Sequence, residues 1–374
     1  MSTDLPLTPL AASLPASVPF VGPEAQERRR GQVFRARLGA NESVFGPSPK
    51  AIAAMQMAAL DVWKYGDSES YDLRAALADH HGVAMDQIVV GGGIDGLLGN
   101  LVRLMIAPGD VVVSSAGAYP TFAYHVTGFG GQLETVPYRD DHEDPQALIA
   151  KARETQAKLV YIANPDNPMG SWHSAERITQ MIEALPENCL LVLDEAYIDF
   201  APDGTAPEID AADPRVIRMR TFSKAYGMAG ARVGYAIGAA PLITAFNKIR
   251  DHFGMSRISQ AGALAALEDQ AYLAEIREAV RAARSRITSI SQTNGLIALP
   301  SAANFVAVDC GGDGVLARKV LEHLEIRDVF VRMPFVAPQN RCIRISAGRP
   351  DDLDILAAVL PGALEAAREE FDKG

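Results

Sequence analysis

Beyond residue 86 the chain alternates short, strand-like, mainly apolar runs with longer stretches in which apolar residues recur at helical spacing. The runs lie at 87–90, 110–114, 133–137, 158–163, from 190, and at 215–220. A strand that is apolar on both faces belongs to a parallel sheet covered by helices on both sides, because only there are both faces kept from water. Helical patterns at 97–105, 145–154 and 174–185 separate the runs, and two more precede them at 49–60 and 72–81. This alternation predicts an α/β fold whose large domain is built on a mostly parallel sheet covered by helices.

The apolar stretch 234–246 and the long helical pattern 259–293 read as a connection into a second, smaller α/β domain. That domain has predicted strands at 304–309, 329–332 and 342–346, and predicted helices at 315–324 and 351–371. At the other end, Pro6, Pro9, Pro15, Pro19 and Pro23 keep residues 1–35 from forming a long helix, so this segment is predicted to be an extended arm. The expected division is an arm at 1–43 that joins the small domain, a large domain at 44–258 and a small domain at 259–374. Met55 and Met57 are expected in the core.

With 374 residues, 48% of them hydrophobic, the chain can bury a sizeable interior. A net charge of −11 argues against nucleic acid and against an anionic membrane surface as partners. No apolar run reaches membrane-spanning length. Cys189, Cys310 and Cys342 are too scattered for a zinc site or a disulfide framework, and His80, His81, His125 and His173 lack ligand spacing, so no metal is expected. A reducing cytoplasm fits best.

The chemistry concentrates between residues 221 and 235. Lys224 follows a predicted strand and stands between hydroxyls and a glycine-rich turn, where a buried amine could meet an anionic ligand. Ser223 and Arg232 could hold an anion beside it. Upstream, Gly91-Gly92-Gly93-Ile94-Asp95-Gly96 links a strand to a helix and would present free backbone N–H groups to a phosphate. The same glycines match a dinucleotide fingerprint, but the residue about twenty positions on is Asp110, which precedes its strand instead of ending it. A nicotinamide oxidoreductase is therefore the minority reading.

Asn167, Asp194, Tyr197 and Lys224 all fall at or just past strand ends and can converge on one crevice. A lysine amine can bond an aldehyde cofactor, and a buried aspartate can hold a proton on a pyridine nitrogen. An asparagine and a tyrosine can hydrogen-bond a ring oxygen. These groups together suit pyridoxal 5′-phosphate.

On these motifs the sequence resembles the fold-type I, class I/II aminotransferases, and within them the histidinol-phosphate branch. Asn164-Pro165-Asp166-Asn167-Pro168-Met169-Gly170 is similar to the family's NPNNPTG, Asp194-Glu195-Ala196-Tyr197 to DEAY, and Ser223-Lys224 with Arg232 to its SK…R. Asn41-Glu42 with Phe45-Gly46-Pro47-Ser48 resembles NENPFGPS, and Lys224 follows Asp194 by 30 residues, as in the family. The resemblance implies PLP fold type I, with Lys224 bonded to the cofactor and then moving the substrate proton. It assigns Asp194 to the ring nitrogen and Asn167 and Tyr197 to the ring oxygen. Ser223, Arg232, the backbone at Ile94 and Asp95, and Tyr65 from a partner subunit are assigned to the phosphate. Tyr119 is implied to stack on the ring, with Phe122 as its rival, and Arg344, Arg332, Phe20 and Asn41 are implied to face the substrate.

The resemblance further implies a homodimer and ping-pong transfer of an amino group between an L-amino acid or amine and a 2-oxo acid, with histidinol phosphate as the leading donor. Three departures bear on that donor: Phe20 where a tyrosine is usual, Gly96 where an acid is common, and Met169 for threonine. An aromatic amino acid is the alternative donor. A PLP-dependent decarboxylase and a silent binding protein of the same fold remain as other activities.

Overall fold

The computed structural model describes residues 5–16 and 21–373. Three sheets are present among them. β1 (Ala36–Arg37) leaves the N-terminal segment, and a seven-stranded sheet follows, made of β2 (Ile88–Gly91), β3 (Val111–Ser115), β4 (Gln132–Val136), β5 (Leu159–Ala163), β6 (Leu190–Asp194), β7 (Val216–Thr221) and β8 (Gly234–Gly238). Its spatial order is β2-β8-β7-β6-β5-β3-β4. The predicted runs are strands, and the central ones are buried along their whole length, as apolar residues on both faces require.

One strand differs from expectation. Residues 234–238 form β8, which is antiparallel to both its neighbours β2 and β7, where the sequence pattern suggested only a connection. The run Gly234-Tyr235-Ala236-Ile237-Gly238 is short and glycine-bounded, and nothing in its periodicity separates a strand from a buried linker. The predicted helix 259–293 is likewise two helices, Arg257–Glu268 and Gln270–Thr293, which meet at Asp269.

In the C-terminal part, β9 (Ile297–Ala298), β10 (Phe305–Asp309) and β12 (Cys342–Ser346) make an antiparallel sheet in the order β12-β10-β9, while β11 (Val329–Phe330) pairs parallel with β1. The helix Gly314–Ile326 packs on β12 and β11, Gln270–Thr293 packs on β9 and β10, and Pro350–Phe371 lies against Gly314–Ile326 and β1. Ser346 N–H donates to the Leu38 carbonyl at 2.8 Å, so the first part of the described chain is stitched to the last. The N-terminal prolines leave room for two short helices, Pro9–Ser13 and Pro23–Arg30. Arg341 lies between Asp309 and Asp141, with Nη2 2.7 Å from Asp141 Oδ2 and Nε 2.7 Å from Asp309 Oδ2, and so ties the small sheet to the loop beyond β4.

Met57 is not in the core: it is exposed, together with Leu60, Trp63, Tyr65 and Phe253. Its helix, Pro49–Ala59, buries only Ala51 outright. Met55 packs at the core's margin. Among the described residues no helix is long and apolar enough to cross a membrane.

Candidate active site

The carboxyl ends of β5, β6 and β7 and the turn after β2 open into one cavity of ≈ 430 Å³. That is where an open parallel sheet places its ligands, because the loops leaving the strand ends diverge there. Asn41, Ile94, Asp95, Tyr119, Asn167, Asp194, Tyr197, Ser223, Lys224, Arg232, Arg332 and Arg344 all line it. Tyr65, which the resemblance assigns to a partner subunit, does not line the cavity of its own chain. Tyr65 is 79% exposed on the outer surface, its ring 4.8 Å from that of Phe253. Phe20 lies outside the described residues.

The turn after β7 carries Lys224 into the cavity. Its Nζ donates to the main-chain carbonyl of Asn41 at 3.0 Å and sits 5.6 Å from the Tyr197 ring centroid. Burial, followed by the cations of Arg344 and Arg232, lowers its pKa to about 8, while Glu42 and Asp194 pull the other way. The amine therefore gives up its proton more readily than an ordinary lysine. Asp194 at the end of β6 is 4% exposed, and burial pushes its carboxyl up to about 6. It accepts from the Ala196 amide at 2.9 Å and from the Tyr161 hydroxyl at 2.7 Å.

Tyr197 is held by two amides: its hydroxyl accepts from Asn41 Nδ2 at 3.1 Å and from Asn167 Nδ2 at 3.3 Å. Asn167 Oδ1 in turn accepts from the Arg344 guanidinium. Arg344 Nε is buried and without a hydrogen-bond partner among the described residues, an unsatisfied donor beside the cavity. Arg332 stands opposite Arg344 across an isolated bridge, and its Nη2 donates to the Val21 carbonyl of the N-terminal segment at 2.6 Å.

The anion cradle is built from backbone and cation together. Arg232, in the left-handed region at φ 55°, donates to the Ala229 carbonyl at 3.0 Å and reaches Ser223 Oγ at 3.4 Å. Gly93 has φ +80°, and a Cβ there would stand 2.5 Å from Arg232 Nη2, so only glycine lets the guanidinium lie against the N-terminus of helix Gly93–Met105. Asp110, by contrast, sits at the other end of the sheet, with its carboxylate accepting from Ala107 N and Lys158 Nζ. It cannot serve a nucleotide at this cavity, and the dinucleotide reading loses its acidic partner.

Between the two rival aromatic residues the geometry is plain. Tyr119 lines the cavity, whereas Phe122 is 1% exposed and stacks on Tyr161 beneath it. Tyr161 also lines the cavity, and sequence reasoning missed it because a tyrosine inside an apolar run reads as core.

The family described as "Aminotransferase class I and II" matches residues 36–360. The chain belongs to the class I and II aminotransferases. This aminotransferase is 35% identical over 334 residues to histidinol-phosphate aminotransferase 2 of Pseudomonas fluorescens Pf-5, covering 87% of this chain and 89% of that protein. It is 34% identical to histidinol-phosphate aminotransferase 1 of Nitrosococcus oceani, covering 92% and 93%. Among solved structures, histidinol-phosphate aminotransferase from Sinorhizobium meliloti in complex with pyridoxal 5′-phosphate superposes with a TM-score of 0.94 at 53% identity, over 97% of this chain and 99% of that one. Aspartate aminotransferase from Rhizobium meliloti, at 23% identity and a TM-score of 0.77, shares the fold.

Proposed function

We propose that this aminotransferase uses pyridoxal 5′-phosphate to move an amino group between histidinol phosphate and a 2-oxo acid. The observation that carries this is the gathering, in one cavity, of an amine of lowered basicity, a buried carboxylate and, besides Arg232, the two guanidiniums of Arg332 and Arg344. The residues present fit the cofactor. Lys224 would bond its aldehyde carbon, Asp194 would hold its ring nitrogen, and Asn167 and Tyr197 its ring oxygen. Ser223, Arg232 and the backbone at Ile94 and Asp95 would take its phosphate, with Tyr119 against the ring. When bound, the cofactor supplies an aldehyde and an electron-withdrawing ring.

The chain's own residues do the rest. Lys224 as the free amine would take the proton from the substrate's Cα and deliver it two bonds away, to the carbon across the amino nitrogen, which needs the uncharged amine that burial favours. Arg344 forks onto the carboxylate of the 2-oxo acid, and Arg332 meets the distal anion of the donor. An anionic tail suits this pair better than an aromatic side chain, which would leave the Arg332 charge unanswered.

The exposed strip of Met57, Leu60, Trp63, Tyr65 and Phe253 supports a homodimer in which a second copy covers it and Tyr65 of the partner subunit reaches the phosphate. The division into an arm at 1–43, a large domain at 44–258 and a small domain at 259–374, and a cytoplasmic setting suggested by three free cysteines, belong to the same reading.

Visible spectra of protein reconstituted with pyridoxal 5′-phosphate, for wild type and Lys224→Ala, test it. A lysine-dependent band that is bleached by histidinol phosphate, and far less by phenylalanine, is expected. Absence of any lysine-dependent band would refute the cofactor assignment, and equal response to phenylalanine would refute the donor.

A further inference from the structure

Tyr161 lies within β5, has no exposed surface, and donates its hydroxyl to Asp194 Oδ2 at 2.7 Å. The register explains the reach. Tyr161 pairs with Val192 and Ala163 with Asp194, so the phenol and the carboxylate project from the same face and meet diagonally. Phe122 stacks on the phenol with centroids 4.7 Å apart and planes 18° apart, which fixes the ring from the other side. Asp194 Oδ1 is taken by the Ala196 amide, so each carboxylate oxygen has one fixed donor. The neighbours on this face are apolar, including Ala163, Val192, Met219 and Ala236. A phenylalanine would fill the same space without a polar atom to satisfy.

We propose that Tyr161 is a positioning residue that keeps the Asp194 carboxylate ionised and oriented, so that the proton shared with the cofactor's ring nitrogen rests on the ring and not on the aspartate. This rests on the cofactor reading above. Burial and the neighbouring Glu195 charge favour the protonated acid, against which Tyr161, the Ala196 amide and Lys224 favour the anion. Glu143, Tyr119 and Tyr197 also face Asp194, and their negative or ionisable groups act on it through charge. Among the favourable contacts of this carboxylate, the Tyr161 hydroxyl is a side-chain donor fixed at 2.7 Å. Without it the acid gains on the anion, and the ring loses the proton that makes it an electron sink.

The test is Tyr161→Phe, which retains the ring and its stack on Phe122. In cofactor-free protein carrying ¹³C-labelled aspartate, with the Asp194 signal assigned by Asp194→Asn, the midpoint of its titration is expected to rise by about one unit. In protein loaded with ring-¹⁵N cofactor, the nitrogen resonance is expected to move toward the unprotonated position. Phe122→Leu, which loosens the packing but retains the hydroxyl, should leave that resonance in place. A wild-type titration with an unmoved resonance in Tyr161→Phe, or an equal move in Phe122→Leu, overturns the proposal. If wild type forms no lysine-dependent visible band, it is the cofactor reading that fails, and the cofactor-free titration still decides whether Tyr161 holds Asp194 ionised.

Discussion

Lys224 Nζ donates to the main-chain carbonyl of Asn41 at 3.0 Å, joining the reactive amine to a residue 183 positions earlier. Asn41 is in the left-handed region at φ 55° and is fixed there from several sides. Its side chain donates to the Tyr197 hydroxyl and accepts from Ser346 Oγ at 2.9 Å, and its carbonyl accepts a second proton from Asn304 Nδ2 at 3.0 Å. The amine therefore has a defined resting acceptor.

The first prediction concerns that amine. In cofactor-free protein its reaction with acetic anhydride, followed by mass spectrometry, should show a midpoint at about 8. After burial, Arg344 is the next contributor to the lowering, so Arg344→Gln should move the midpoint upward, toward the ordinary value of 10.5. A midpoint unchanged by Arg344→Gln would mean that the Arg344 charge does not contribute to the lowering.

A second prediction separates the backbone of Asn41 from its side chain. Asn41→Ala loses buried hydrogen bonds and places a Cβ residue without local compensation at positive φ, with an expected loss of about 2–4 kcal/mol. Asn41→Gly loses the same bonds but not the backbone preference, and should be less destabilised than Asn41→Ala by about 1 kcal/mol. Urea unfolding of the two variants checks the order.

Acid sensitivity should trace in part to Glu195. Its side chain is 1% exposed, and Arg218 Nη2 and Arg220 Nε approach its two oxygens at 2.5 and 2.8 Å. Burial alone would raise its carboxyl, but Arg220 and Arg218 outweigh burial and hold it below the ordinary 4.5. Because the folded value is the lower one, the stability Glu195 contributes is complete above 4.5 and is lost as the pH falls through the folded value. Glu195→Gln leaves two buried guanidiniums uncompensated and should cost about 3–5 kcal/mol at pH 7. Its unfolding midpoint should then lack this component of the decline in acid, which urea titrations at pH 7, 5 and 3.5 would reveal.

Gly93→Ala tests the cradle. The new methyl would displace Arg232 Nη2 from a position 2.5 Å away, and the backbone would be strained at φ +80°. Equilibrium dialysis with pyridoxal 5′-phosphate should show affinity weakened at least tenfold, with little change in the fold by circular dichroism.

Much of this was legible in the sequence, for physical reasons that differ from residue to residue. Asp194 ends an apolar run and Lys224 follows one, so their placement at strand ends needed only strand lengths. Tyr119 could not be separated from Phe122 without coordinates, because both stand near the start of the same helix, Pro120–Gly128, one position at its cap and the other a turn inside it. Tyr161 was hidden because its partner belongs to the neighbouring strand, and register between strands leaves no mark on either one alone. β8 was missed for the opposite reason: its local pattern is that of any short buried segment. Exposure of Met57 beside Trp63 and Tyr65 was equally unreadable, since an exposed helix face can carry the same apolar residues as one that faces its own core.

The pairing of β1 with β11 and the Ser346–Leu38 hydrogen bond have a consequence in time. Chains are made from the N-terminus at ~5–20 residues per second. Ala36 therefore waits roughly 15–60 s at that rate before Val329, its partner in the register, leaves the ribosome. Throughout that interval the seven-stranded sheet can assemble, but Asn41 has neither Ser346 nor Asn304 to hold it, so the acceptor of Lys224 is not yet fixed. The large sheet is in this sense ready early, and the wall that closes over it is the last part of the chain to be born.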